Sequence, residues 1–331
     1  MGGGLGHLNR TLCLARLVAG EAPVTVLTNC SYASFVAGSS YFQSEFAACR
    51  PDSNDPVGVE IVEIKAKEPQ EFSAQVRHKL LGEEFDYLVV DTFPRGIIGE
   101  LVALLPQLTD GKKIFVARDL NPDYVERYAL RQFVPQHYDL VLNPGENHGP
   151  LGDLAVATAP WLIKDSEAFG SAHMAAFKDL LAVDSASKLL LVVSSGQDNR
   201  IFEDLALAAR AKFPGLAVRF LSMVPPQILD QAMWVRHWPG IDLVACSGVV
   251  VSSAGYNIAA ESTALGVPLI ALPQERLYDR QHSRIAASAV SAAYDIAGAL
   301  WAVERQLASR PLPGREFLNG ASAALELLRE L

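Results

Sequence analysis

The strongest constraint on this chain is a rhythm of short apolar runs, each the length of a buried strand, set between segments whose leucines and alanines return at helical spacing. Residues 24–28, 87–90, 114–117 and 140–142 are such runs in the first half. The same beat restarts with 189–193, 217–221, 243–245, 249–252 and 268–272. Strands that alternate with helices predict a parallel sheet covered on both faces, and the restart predicts two such units. Between them the stretch 158–187 loses strand character around Pro160 and Trp161, as an interdomain connection does. The expected organisation is therefore a Rossmann-like domain over 1–160, a connection over 161–187, a second Rossmann-like domain over 188–315 and a terminal helix over 316–331. An alanine-rich helix is expected over 285–293. The 331 residues agree, since one core serves about 150.

Composition narrows the partners. With 28 Lys and Arg against 37 Asp and Glu, the net charge of −9 offers no basic field for a nucleic acid backbone. Cys13, Cys30, Cys49 and Cys246 are widely spaced and form no CxxC pair, which fits a reduced, cytoplasmic setting. No apolar run approaches the roughly 18 to 20 residues of a membrane span, so at most peripheral membrane contact is expected. The first residues have neither the basic flank nor the apolar stretch of a signal peptide. No histidine pair stands at a metal spacing such as HxxxH, so no metal ligand is assigned.

Three segments carry candidate chemistry. GGGLGHLNR, residues 2–10, runs into a helical pattern, and glycines at a helix N-terminus let backbone N–H groups approach an anionic or polar ligand. His7 stands at that mouth with an ordinary pKa near neutrality, suited to taking a proton from a hydroxyl. Read alone, the segment equally fits a glycine turn capped by His7. LLLVVSSGQDNR, residues 189–200, takes a strand into Ser194, Ser195 and Gly196, a turn suited to phosphate oxygens or to simple capping by Asp198.

The third segment is the most specific. VVVSSAGYNIAAESTALGVPLIALP, residues 249–273, ends a strand at Ser252 and starts a helix after Gly255, so the N–H groups of Gly255 and Tyr256 can face a diphosphate. Glu261 lies six residues into that helix, where a carboxylate can accept both hydroxyls of a ribose or merely sit in solvent. Gly266 and Pro268 then stop the helix.

The pairing of GGGLGH with SSAGYNIAAES and the later DRQ resembles the GT-B glycosyltransferase superfamily that contains the peptidoglycan N-acetylglucosaminyltransferase, family 28. DTFPRGIIGEL from Asp91, FVARDL from Phe115 and GYNIAAE from Gly255 also resemble a bacterial branch of predicted glycosyltransferases. The resemblance implies two Rossmann-like domains facing each other across a cleft, with the acceptor on the first and a nucleotide sugar, most readily a UDP-sugar, on the second.

On the donor side it implies Ser195, Gly196, Gln197, Ser253, Gly255, Tyr256, Glu261, Asp279 and Gln281, with His237 or Trp238 bordering the nucleobase. For Trp234 core packing is the favoured reading. On the acceptor side it implies Gly4, Gly6, Arg10 and Arg118. His7 becomes the general base, and Asp91, after the strand 87–90, its carboxylate partner, although Asp91 could equally cap the next element or pair with Arg95 or Arg118. The chain departs from the superfamily at its start, where members carry a hydrophobic strand before the glycine loop and here only Met1 precedes it.

The expected reaction is an inverting, metal-independent transfer of a sugar to an acceptor hydroxyl without a further cofactor, because no DxD pair is placed for a metal and helix N-termini can hold the leaving diphosphate. Two alternatives share these residues. FDYLVVD, residues 85–91, is similar to a segment of nucleotide-sugar hydrolases of aminosugar pathways, in which water replaces the acceptor. A binding protein that has lost catalysis would hold the donor and turn over nothing.

Overall fold

The computed structural model describes residues 4–46, 58–145, 149–184, 186–194, 199–274, 280–286, 290–308 and 316–331. The chain divides into two compact units, one holding 1–161 with 319–331, the other 162–276 with 280–318.

In the first unit the order is α1 (Leu5–Val18), β1 (Val24–Thr28), α2 (Ala33–Ala37), α3 (Ser40–Glu45), β2 (Val59–Glu63), α4 (Pro69–Leu81), β3 (Tyr87–Asp91), β4 (Lys112–Val116), α5 (Pro122–Arg127), α6 (Leu130–His137), β5 (Leu140–Pro144) and β6 (Val156–Thr158). All pairings are parallel, but the strands form two sheets rather than one: β1 pairs with β2, while β3, β4, β5 and β6 pair in chain order. Among the described residues β1 and β3 each have one edge without a strand partner, and both stay half-exposed where β5 is buried nearly throughout. The first helix packs on β1 and reaches the end of β3 through Arg10. The core of the larger sheet gathers Phe115, Leu130, Val134 and Leu104.

The second unit contains α7 (Ser171–Leu180), β7 (Leu189–Val193), α8 (Arg200–Lys212), β8 (Ala217–Leu221), β9 (Trp234–Val235), α9 (Ile241–Ala245), β10 (Val249–Ser252), α10 (Tyr256–Leu265), β11 (Leu269–Ala271), α11 (Gln281–Ala286), β12 (Ser291–Ala292) and α12 (Ile296–Ala308). Its parallel sheet has the order β12-β11-β10-β7-β8-β9, so the direction of winding reverses between β7 and β10. Strand periodicity divides β7 cleanly. Leu190 and Val192 enter a core with Phe202, Phe220 and Val303, while Leu189 and Leu191 enter another with Leu243, Val244 and Ala259. Burial on both faces is why these strands read as unbroken apolar runs.

Several expectations change. The run 243–245 is helical, part of α9 with Ile241, Leu243 and Val244 buried; three apolar residues cannot separate a strand from a helical turn by period. The alanine-rich stretch splits: α11 stops at Ala286, and Ser291 and Ala292 pair with β11 as an edge strand, a tertiary pairing that overrides alanine's helical preference. The connection expected over 161–187 belongs, beyond Trp161, to the second unit, because Leu181 and Val183 are buried in its core and Arg219 donates to the carbonyls of Leu181 and Ala182. The terminal helix, α13 (Gly320–Arg329), capped by Asn319, belongs to the first unit, where it packs on α1 and Tyr87 donates to the Leu328 carbonyl.

Candidate active site residues in the two units

In the first unit, α1 starts at Leu5 after Gly4, with no side-chain cap, and Gly4 and Gly6 are exposed. One turn in, His7 sits with its Nδ1 2.7 Å from Asp91 Oδ2 at the end of β3. A carboxylate only accepts, so this contact puts the proton on Nδ1 and leaves Nε2 as the basic nitrogen. Asp91 has further company. Arg10 Nε and Nη2 each donate to it at 2.7 Å, and Nη2 also reaches Thr92 Oγ1 at 2.8 Å. Burial alone would raise the Asp91 pKa, but Arg10 and His7 outweigh it and hold the carboxyl well below its ordinary range.

Thr92 completes the group. Its φ of 67° is the left-handed region, uncommon for a β-branched residue, and its hydroxyl donates to Asp91 Oδ2 at 3.2 Å. The expected His7–Asp91 pair is therefore present, and the cation beside it is neither Arg95 nor Arg118. Arg95 lies over Tyr128 and Phe133 instead. Arg10 needs correcting: with 1% of its surface exposed it is not open to an acceptor, because a buried guanidinium must be spent on a carboxylate. Arg118 is half-buried just beyond β4.

In the second unit the candidates collect at the carboxyl ends of the strands, where a doubly wound sheet binds ligands at its reversal point. Ser194 follows β7 and is buried, its hydroxyl bonded to Asn199; Ser195, Gly196 and Gln197 lie outside the described residues, as does Asp279. Ser253 and Ala254 follow β10, both buried, with Ala254 at φ 54° and its N–H held by Ser252 Oγ at 3.0 Å. Gly255 then opens α10 with no side-chain cap on its first turn, and Tyr256 is buried behind it. Gly255 has an ordinary φ of −57°, and a Cβ there would meet nothing within 4 Å, so neither backbone nor packing requires glycine. The open space is what an anion approaching the helix N-terminus needs. Gly266, at φ 67°, closes the same helix.

Glu261 is not a solvated carboxylate. It is 5% exposed, and burial together with the charge of Asp242 pushes its pKa up to about 8. Gln281 is also buried, and its Oε1 accepts the N–H of Gln274, so at least its oxygen holds the loop after β11 rather than facing a sugar. Trp234 packs against the core with its indole N–H on the Ser222 carbonyl at 3.1 Å, and Trp238 is buried, which leaves His237 as the accessible member of that pair.

Sequence reasoning missed a buried hub. Asp242, 1% exposed on α9, receives Lys164 Nζ on Oδ1 at 2.7 Å and His237 Nε2 on Oδ2 at 3.1 Å. His173 Nε2 lies 3.1 Å from Oδ1 without hydrogen-bond alignment. Burial pushes the Asp242 pKa up, yet His237 and Lys164 outweigh it and lower it overall. Phe177 lies against both imidazoles. No sequence motif marked Asp242, because its partners come from other elements. Among the described residues no group of three or more His, Cys, Asp or Glu is placed to hold a metal, and no helix is long and apolar enough to cross a membrane.

No family model matches the sequence, and no curated protein matches it. Solved structures do. The calicheamicin glycosyltransferase CalG4 aligns over 99% of this chain and 90% of its own, with TM-score 0.57 and 16% identity. The glycotransferase of kitacinnamycin aligns over 98% and 92%, with TM-score 0.59 and 18% identity. This chain has the GT-B fold. The UDP-GlcNAc 2-epimerase of Methanocaldococcus jannaschii aligns equally widely, over 98% and 97%, with TM-score 0.60 and 11% identity. The fold thus serves both sugar transfer and sugar epimerisation, and the chemistry here must be argued from residues.

Proposed function

We propose that this GT-B protein is a glycosyltransferase that moves a hexosyl or N-acetylhexosaminyl group from a nucleoside-diphosphate sugar, a UDP-sugar in the first instance, to an acceptor hydroxyl with inversion. The observation that carries the reading is the His7–Asp91 hydrogen bond, which orients an imidazole at an uncapped helix start with its second nitrogen available. His7 Nε2 takes the proton from the acceptor hydroxyl, the oxygen attacks the anomeric carbon, and the nucleoside diphosphate leaves. Asp91 fixes the ring, and its carboxylate, also held by Arg10, offsets the positive charge that the imidazole gains.

The second unit supplies the donor side. The open first turn of α10 meets the diphosphate, and Glu261 meets the ribose hydroxyls. Charge on the leaving group is met by helix dipole and N–H groups, so the proposal includes no metal and no further cofactor. The working setting is cytoplasmic, and the acceptor is a small or soluble hydroxyl compound.

The test is incubation with a panel of UDP-, GDP- and TDP-sugars, with and without candidate acceptors. Transfer that needs an acceptor supports the proposal. Stoichiometric release of free sugar without one makes the protein a nucleotide-sugar hydrolase, and an altered sugar still joined to nucleotide makes it an epimerase. Donor binding without any turnover leaves a binding protein.

A further inference from the structure

Arg10 stands one helical turn after His7 on α1 and takes no part in the proton transfer proposed above. Its guanidinium is buried, with Nε donating to Asp91 Oδ1 and Nη2 to Oδ2, each at 2.7 Å. The fork therefore takes both oxygens of the carboxylate that orients the imidazole. Nη2 also lies 3.3 Å from His7 Nδ1. Because Nδ1 donates to Asp91, it has no lone pair for Arg10, and this contact sets a cation against the ring. Among the described residues, Asp91 from β3 and Arg10 from α1 are the charged groups that meet the imidazole, and Phe93 lies beside it at 5.9 Å between centroids. Carboxylate and guanidinium cancel, so the group is neutral at rest and gains a full positive charge when Nε2 accepts a proton. That charge is opposed by the fixed guanidinium, and a carboxylate already bound to Arg10 offsets only part of it.

We infer that Arg10 is a positioning residue that sets the strength of the base: it locks the Asp91 carboxylate against Nδ1 and opposes a charged ring. Nε2 then keeps its lone pair at rest and gives up its proton readily once the acceptor has reacted. This rests on the transferase reading proposed above for what the base does; how Arg10 acts on the ring follows from the geometry alone. Thr92 supports the arrangement, since its hydroxyl accepts from Arg10 Nη2 at 2.8 Å and donates to Asp91 Oδ2 at 3.2 Å. Removing a charge at such a distance moves a titration midpoint by about one to three pH units, upward for an imidazole that loses a neighbouring cation.

The experiment follows the His7 imidazole by NMR through a pH titration of the full chain, in wild type, Arg10→Gln and Arg10→Lys. Beside it stands the pH profile of kcat/KM with a verified donor and acceptor. In Arg10→Gln the midpoint of the His7 titration should rise by about one pH unit or more, and the acid limb of kcat/KM should rise with it. Arg10→Lys keeps the charge and loses the fork, so its midpoint should stay near that of wild type. A role in folding alone lowers stability or turnover and leaves the midpoint in place; that result in a folded Arg10→Gln protein overturns the inference. Should Arg10→Gln fail to fold, because Asp91 is left without its cation, Asp91→Asn and the neutral double variant Arg10→Gln/Asp91→Asn take its place. The double variant should titrate about one unit or more above the single one, and equal midpoints refute the assignment. The NMR measurement needs no substrate. If no acceptor is glycosylated while the midpoint moves, the transferase reading falls and the account of Arg10 stands. An active transferase with an unmoved midpoint keeps the proposed function and loses the inference.

Discussion

Glu261→Gln tests the most consequential feature of the second unit. Glu261 is 5% exposed, and its pKa stands at about 8 against an ordinary 4.5, from burial first and Asp242 second. The folded protein therefore keeps this proton to about pH 8, while the unfolded chain gives it up near its ordinary value. A group whose folded pKa is raised stabilises fully below the unfolded pKa and loses that contribution as pH rises through the folded one. Each pH unit in the interval removes ~1.4 kcal/mol, so the whole span amounts to about 5 kcal/mol with little solvent screening. Glutamine has the same shape and no titration. The stability of Glu261→Gln relative to wild type should accordingly climb between pH 5 and pH 8.5 by about 3 to 5 kcal/mol, and then level. In thermal melts this is on the order of 10 °C for a unit of this size. Melts and urea titrations of both proteins at five pH values measure it. A difference that stays flat across that range would falsify the burial argument. Nucleotide binding gives an independent readout: if the ribose hydroxyls donate to the carboxylate, the variant should bind about 10- to 100-fold more weakly at pH 8.5, where charge-assisted hydrogen bonds contribute ~1.5 to 3 kcal/mol.

Replacing His7 with alanine should reduce turnover by ~10²- to 10⁴-fold while leaving the melting curve nearly unchanged, because the side chain is a third exposed; undiminished turnover with a verified acceptor rules it out as base. Asp91→Ala strands Arg10, itself 1% exposed, and should cost about 3 to 5 kcal/mol in chemical denaturation at pH 7. Because the Asp91 pKa is held low, its contribution is present at neutral pH and lost as pH falls below about 4, so wild type and variant should converge in acid. Asp91→Asn keeps the shape but lets His7 adopt the other tautomer, so kcat should fall more than stability does. Phe220→Ala, at a fully buried position between the sheet and its helices, should cost about 3 to 5 kcal/mol by urea denaturation; a smaller loss would mean the cavity collapses.

The sequence by itself determined the class of architecture and the places where chemistry can occur. Buried parallel strands need unbroken apolar runs, and 189–193 and 249–252 carry that requirement in the residues themselves. Helix starts and stops are equally local: the uncapped glycine at Gly255 and the left-handed stop at Gly266 depend on backbone chemistry a few residues wide. His7 and Glu261 were legible as candidates for the same reason.

Tertiary structure decided everything that depends on pairing across distance. Arg10 lies 81 positions from Asp91, and nothing local says that its charge is spent there rather than offered to an acceptor. Residue 243 could begin a strand or a helix until Leu243 and Val244 find their core. The division of the first unit's strands into two sheets depends on which edges meet. The Asp242 hub draws Lys164, His173 and His237 from separate segments, and only folding buries Glu261 near Asp242, which raises its pKa, and sets His237 against that same carboxylate. Residue type fixes which atoms can donate, accept or ionise; burial and distance set which of them do, because desolvation and Coulomb energy act between groups that only folding brings together.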